Sequence, residues 1–327
     1  MKKTVLTLTT SAVLAGSLFA LEVPSNHIVD TKWLKSNLGN KDLVIVDMRK
    51  DSKKKPTYSA SHIEGAIHWS SKEYREGRYI AKRLTDYNTK KKGKPTPTAI
   101  PGYIVSPKGF EALMQKSGIS NDTAVVFYAA GKASKDYRDS SMGIFTSMYY
   151  GHDNVAILDG GFADWTKNNG ATSSKKTTNA KSDFKIQKFN RSVLAVAEDL
   201  DEAVTLGNIQ TVDTNGLGSH YDGTKKGDFR RDAEGHVPGA KAMHTKELAV
   251  KKDGVYYFPT KSHAKSVLDK AGISTTKPTI LYCNTGNLAS GNWFVHKFIV
   301  GQKDVRVYNG SMADYTALPN RPLATTK

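Results

Sequence analysis

The sequence predicts an α/β fold built twice, each unit a central, mostly parallel sheet flanked by helices. Three observations carry that expectation. The chain has 327 residues, more than one typical core accommodates and about right for two ordinary domains. Four segments recur in the same order: VIVDMR (44–49), HIEGAI (62–67), TAVVFYAAG (123–131) and VAILDGGFADW (155–165), then IQTVDT (209–214), HVPGAK (236–241), PTILYCNTG (278–286) and VRVYNGSMADY (305–315). A recurrence at domain length signals duplication and not a solenoid. Within each copy, short β-branched runs alternate with helical patterns.

Taken in order, Leu43 to Val46, Ala124 to Tyr128 and Val155 to Leu158 have the near-continuous apolar character of buried parallel strands. Ile209 to Val212, Thr279 to Tyr282 and Val305 to Tyr308 repeat them. Phe110 to Gln115 and Ala264 to Lys270 are each followed by a glycine-isoleucine pair, the pattern of a helix with a glycine cap. Asn168 to Asp183 is rich in Asn, Ser, Thr and Lys without apolar periodicity, so it separates the copies. Thr85 to Pro101, with a lysine run and three prolines, is expected to be an insertion loop. The resulting division is a leader at 1–20, a first domain at 21–170, a linker at 171–185 and a second domain at 186–327.

Composition narrows the function classes. With 38% hydrophobic and 24% charged residues the chain is expected to be globular and ordered. Its formal charge of +17 comes mostly from lysine, in runs such as Lys53-Lys54-Lys55 and Lys90-Lys91-Lys92 that suit solvated loops. No nucleic acid is expected as partner, because basic residues are not interleaved with aromatics in a recognition pattern. A small anionic substrate suits such a field, which raises its local concentration and on-rate. Lys2 and Lys3 precede the apolar run Val5 to Phe19, which ends in small residues around Ser17 and Ala20. That is the pattern of a cleavable signal peptide, with the periplasm of a bacterium the expected destination and no stable membrane insertion after cleavage.

A lone cysteine in an oxidising compartment cannot form an internal disulfide. Cys283 is the one cysteine of the chain. The pattern PTILYCNTG followed by Asn287, Leu288, Ala289 and the apolar run Trp293 to Val300 reads as strand, short loop, helix. Cys283 therefore falls at a strand's carboxyl end and just before a helix N-terminus, the edge where ligands bind in open α/β sheets. Unpaired N–H groups and the helix dipole there favour an anion, including a thiolate. Gly286 lets the loop curl so that successive N–H groups form a nest. The matching position of the first copy is Ala129, so one copy keeps the thiol and the other has lost it. A cysteine filling a core gap is the plainer reading, which the strand–loop–helix context disfavours. His62 and His236 in the repeated H-x-x-G-A block read as structural turn residues, and Asp47 with Arg49 as a structural ion pair. No histidine spacing suggests a metal site.

These motifs, in order and twice, resemble the rhodanese family, specifically tandem-domain sulfurtransferases of the thiosulfate or 3-mercaptopyruvate type. The resemblance rests on Val46-Asp47-Met48-Arg49 and Val212-Asp213-Thr214-Asn215, on Gly235 to Ala240, on Cys283 to Ala289, and on Asp159 to Trp165 with a weaker match at Asn309 to Tyr315. It implies two tandem rhodanese-like domains, a silent N-terminal one and an active C-terminal one. It also implies catalysis by Cys283 through a persulfide, with Asn284, Thr285, Gly286, Asn287, Leu288 and Ala289 as the stabilising loop. The partners implied are a small anionic sulfur donor (thiosulfate, polysulfide or mercaptopyruvate) and a thiol, cyanide or protein acceptor; no cofactor and no metal is needed.

The match has departures. Asn284 and Thr285 stand where thiosulfate-type enzymes usually carry basic residues, and Asn215 where an arginine is common. His220, Arg230, Arg231 or a residue of the first copy would then have to supply the charge that binds the donor. Without basic residues at 284 and 285, polysulfide or another low-charge sulfane donor is expected to be used at least as well as thiosulfate. Cysteine phosphatases and arsenate reductases on this fold clamp their oxyanion with an arginine at the place of Ala289, which disfavours that chemistry here. A periplasmic sulfane-sulfur carrier without fast turnover is the alternative reading.

Overall fold

The computed structural model describes residues 20–78, 100–216, 218, 220–224, 234–243, 245–317 and 321–326. Two five-stranded sheets form the frame. The first contains β1 (Ile28–Val29), β2 (Leu43–Asp47), β3 (Ile67–His68), β4 (Ala124–Tyr128) and β5 (Val155–Leu158), in the spatial order β1-β5-β4-β2-β3 with every pair parallel. The second contains β6 (Leu194–Ala195), β7 (Gln210–Asp213), β8 (Lys241–Ala242), β9 (Thr279–Tyr282) and β10 (Val305–Tyr308), in the order β6-β10-β9-β7-β8, again all parallel. The two orders are identical, as duplication requires. Every residue of β4, β5 and β9 is buried, the signature of strands covered on both faces.

Helices follow the strands: α1 (Thr31–Asn37), α2 (Pro107–Lys116), α3 (Tyr137–Tyr149) and α4 (Gly161–Lys167) in the first copy; α5 (Ala197–Leu206), α6 (Lys261–Lys270), α7 (Asn287–Phe294) and α8 (Ser311–Tyr315) in the second. The expected glycine caps on α2 and α6 are present, with Gly118 and Gly272 at φ of 71° and 66°. In both, the isoleucine after the glycine donates back to the last turn, Ile119 to Met114 O and Ile273 to Leu268 O. The apolar run Trp293 to Val300 is not one α-helix: after Phe294 it loosens into a π-helical turn, Val295–Val300, closed by Gly301.

The copies are joined through α3 and α7, the helices that follow the two equivalent loops. Phe145 and Trp293 meet edge to face with centroids 5.4 Å apart, inside one hydrophobic core that spans both copies. Ala289 through Phe294 are all buried, which explains why α7 has no polar face.

Two segments differ from the expectation. Ile100 and Pro101 belong to a strand, Ile100–Ile104, pairing antiparallel with Arg75–Arg78, so the insertion loop is shorter than the range 85–101; its remainder lies outside the described residues. The stretch between the copies is held down. Thr172–Ser173 pairs with His62–Ile63, and Asn179 and Ser182 bond to carbonyls of Ser117 and Ile119. Polar side chains, with no apolar period to reveal it, satisfy this contact. Among the described residues no helix is long and apolar enough to cross a membrane; of the leader 1–20, residues 1–19 lie outside them.

Candidate active site

Cys283 follows β9 directly and is 2% exposed. Its backbone is tied on both sides to the start of α8: Cys283 N–H donates to Ser311 Oγ at 3.1 Å, and Cys283 O accepts from Met312 N–H at 3.0 Å. Asn284 O accepts from Ala313 N–H at the same distance, 3.0 Å. The chain then turns at Gly286, whose φ of 86° belongs to the left-handed region and where a Cβ would stand 2.5 Å from Asn309 O. This turn brings the Gly286 N–H to the sulfur, N to Sγ 3.0 Å. Helix α7 starts at the next residue, so the N–H groups of its first turn have no acceptor within the helix and face the loop's end. A sulfur anion here meets backbone dipoles in a desolvated setting, where each is worth more than in water.

Ser311 holds a strained conformation, φ 51°, at a position where the first copy has Gly161, φ 55°. A serine there costs on the order of 1 kcal/mol. Its hydroxyl donates to Tyr308 O at 2.8 Å and receives the Cys283 N–H, which is what the strained backbone achieves.

The loop after β4 has the same frame: Ala129 O and Ala130 O accept from Phe162 and Ala163 N–H, as Cys283 O and Asn284 O do from Met312 and Ala313. After Gly131, however, the chain runs on to Asp136 before α3 begins, whereas α7 begins directly after Gly286.

Each loop is roofed by a hairpin of the opposite copy. Over the Ala129 loop lies Val250–Lys252 with Val255–Tyr257: Tyr256 N–H donates to Gly131 O, Phe258 N–H to Asp159 Oδ1 at 2.9 Å, and Tyr257 OH to Asp164 Oδ1 at 2.7 Å. Over the Cys283 loop lies Arg75–Arg78 with Ile100–Ile104, where Ile104 N–H donates to Asn309 Oδ1 at 2.8 Å. Arg75 Nη2 donates to Thr285 O, the counterpart of Gly131 O, and to Gly102 O at 3.0 Å. Gly102, φ 94°, permits this approach, since a Cβ there would lie 2.5 Å from Arg75 Nη2 and 2.8 Å from Thr285 Cβ.

The expected loop residues are thus brought together. Asn284 Oδ1 accepts weakly, at 3.4 Å, from Asn215, whose amide also donates to the buried Asp213. Thr285 is held through its carbonyl by Arg75, Asn287 Nδ2 donates to Asp139 Oδ1 at 2.8 Å, Leu288 packs on the core, and Ala289 is fully buried. Burial raises the Asp139 carboxyl above its ordinary range, against Arg138, Asn287 and Arg75. His220 lies half-buried beside Tyr221, and Arg230 and Arg231 lie outside the described residues. Sequence reasoning missed Arg75, Asp139 and Ser311. Ser311 was discoverable from the register of DGGF against NGSM; Arg75 and Asp139 sit in the other copy, with no local signal.

The structural readings of the histidines and the ion pair agree with the contacts. His62 stacks on Tyr58 and His236 on Tyr221, centroids 3.9 and 3.7 Å apart, each bonding its partner's carbonyl through Nδ1. Arg49 meets Asp47 at 2.5 Å in the core, and Asp47 also accepts from Tyr128 OH at 2.6 Å.

Comparison with known proteins gives consistent findings. The rhodanese-like domain family matches twice, at residues 30–168 and 196–318. A putative thiosulfate sulfurtransferase of Saccharopolyspora erythraea is 26% identical over 304 residues, covering 90% of this chain and 95% of its own. The thiosulfate sulfurtransferase of Corynebacterium glutamicum is 27% identical over 311 residues, covering 91% and 90%. The crystal structure of SseA from Escherichia coli, a 3-mercaptopyruvate sulfotransferase, superposes with a TM-score of 0.65 at 20% identity, over 87% of this chain and 98% of that one. The chain, with its two matched segments on two identically ordered sheets, belongs to the rhodanese family as a tandem-domain sulfurtransferase.

Proposed function

We propose that the protein moves sulfane sulfur from an anionic donor to a nucleophilic acceptor through a persulfide on Cys283. The observation that carries this reading is the bond from Gly286 N–H to Cys283 Sγ at the mouth of α7, on the chain's one cysteine. The Cys283 thiolate attacks the transferable sulfur of the donor and the bond holding that sulfur breaks: S–S in thiosulfate or a polysulfide, C–S in mercaptopyruvate, which leaves as pyruvate enolate. With thiosulfate, sulfite leaves with the electron pair and Cys283 carries S–S⁻. An acceptor such as cyanide or a thiolate then attacks the outer sulfur, taking it and returning the Cys283 thiolate. The Gly286 N–H and the first-turn N–H groups of α7 stabilise the anion before and after transfer, and Asn284 and Asn287 fix the loop that presents them. The same reading takes the leader 1–20 as an export signal, so that the mature chain starts at Leu21 in the periplasm.

Intact-mass measurement after treatment with thiosulfate, polysulfide or mercaptopyruvate should show one added sulfur atom, removed by cyanide. Cys283→Ser should show none, and its transfer rate should fall at least about 10³-fold. Product in excess of one equivalent per protein separates catalysis from carriage. Full activity in the serine variant overturns the assignment.

A further inference from the structure

Arg75 belongs to the copy that lacks a thiol, yet its guanidinium is built into the other copy's loop. Nε and Nη2 are taken up by the carbonyls of Gly102 and Thr285, two residues past Cys283. Among the described residues Nη1 has no acceptor and Arg75 has no carboxylate partner. A half-buried cation without a counter-anion is costly, because its own field is poorly solvated. Burial accordingly pulls the guanidinium below its ordinary range, while Tyr74, Cys283 and Asp139 act in the opposite direction. The bond to Thr285 O seats this charge on the loop two residues past Cys283. Loop positions 284 and 285 are uncharged, so the positive charge for a sulfur anion has to come from outside the loop.

We propose that Arg75 is the specificity-determining cation of the sulfur-transfer site: lent by the silent copy, fixed by two carbonyls, and presenting Nη1 to the anionic group of the donor. The inference rests on the persulfide reading of Cys283 for its substrate class, a doubly charged sulfane donor such as thiosulfate. The charge it assigns to the site is open to a separate measurement. Arginine suits the task because its planar fork keeps one edge on the carbonyls while another faces the ligand.

The single cysteine makes the test clean. Rates of Cys283 alkylation by iodoacetate and by neutral iodoacetamide are measured on the mature wild type, Arg75→Gln and Arg75→Lys. The iodoacetate-to-iodoacetamide ratio should fall about tenfold in Arg75→Gln and by less than about threefold in Arg75→Lys. In the transfer assay, kcat/KM for thiosulfate should fall about tenfold or more in Arg75→Gln, mainly through KM. That for a neutral organic trisulfide should fall less than about threefold. An unchanged alkylation ratio, or equal losses for both donors, overturns the proposal and leaves Arg75 as a loop clamp. If Arg75→Gln does not fold, Arg75→Lys decides alone: a lysine variant that loses the charge preference while folding normally also overturns it. A falling ratio in a protein that transfers no sulfur would sink the persulfide reading and leave the charge assignment standing.

Discussion

The loop after β4 and the loop after β9 start from the same frame and diverge within a few residues. Both hang on a glycine-rich turn after the following strand, and both are covered by the opposite copy's hairpin. After Ala129 the chain runs on to Asp136 before turning helical, so α3 begins several residues further from position 129 than α7 does from Cys283. After Cys283 it turns at Gly286 and enters α7 at once, so that an N–H reaches the sulfur. The two copies thus differ in the distance from this position to the next helix, and not in the thiol alone.

The sharpest way to break the comparison is to transplant the thiol. In a Cys283→Ser background, Ala129→Cys should remain at least about 10³-fold below wild type in sulfur transfer, because no helix N-terminus follows position 129 closely. Recovery to within about tenfold would show that the frame suffices.

A smaller effect is expected where Ser311 stands in place of the first copy's Gly161. Ser311→Gly relieves a strained backbone but removes the acceptor of the Cys283 N–H. Stability should stay within about 1 kcal/mol of wild type while kcat/KM falls about five- to tenfold. Ser311→Ala keeps the strain and loses the bond, and should lower the unfolding free energy by about 1–2 kcal/mol in denaturant titration.

Gly102→Ala puts a Cβ against Arg75 and Thr285 and should destabilise by about 1–3 kcal/mol, read as a lower midpoint of thermal unfolding. An unchanged midpoint would mean that the hairpin floats over the loop.

The gentlest probe is Asp159, whose counterpart is Asn309. Burial pushes the Asp159 carboxyl up from 3.8 to about 6, with Asp164 and Asp30 adding and the N–H groups of Phe258 and Gly160 opposing. The folded state thus holds its proton more tightly than the unfolded chain. The associated stability is present below pH 3.8 and is lost as pH rises through about 6. Asp159→Asn should therefore raise stability at pH 7 by about 1–2 kcal/mol and leave it unchanged below pH 4. A gain of the same size at both pH values would point to packing instead of charge.

Much of this organisation was legible in the chain itself. Val125, Ile280 and Val307 sit in apolar runs short enough and β-branched enough to be strands, and the runs recur in order. Gly118 and Gly272 mark helix ends because only glycine enters the left-handed region without strain. Cys283 is recognisable from strictly local cues, a strand before it and a glycine turn after it. Arg75 is not, because its role depends on a contact across 210 positions that no local pattern encodes. The Thr172–Ser173 pairing escaped for a related reason: side chains such as Ser182 and Asn179 bond equally well to water or to carbonyls.

Reciprocal roofing has an evolutionary consequence. If Cys283 carries the transfer as proposed, either copy was at liberty after duplication to drop its thiol, since one suffices. The first copy was not at liberty to drop its hairpin, because that hairpin covers its sibling's cysteine loop. A comparison of related sequences should accordingly find position 129 freer to vary than Arg75, Gly102 and Ile104. A half-gene expressed alone would keep its strands and lose the cover of its own chemistry.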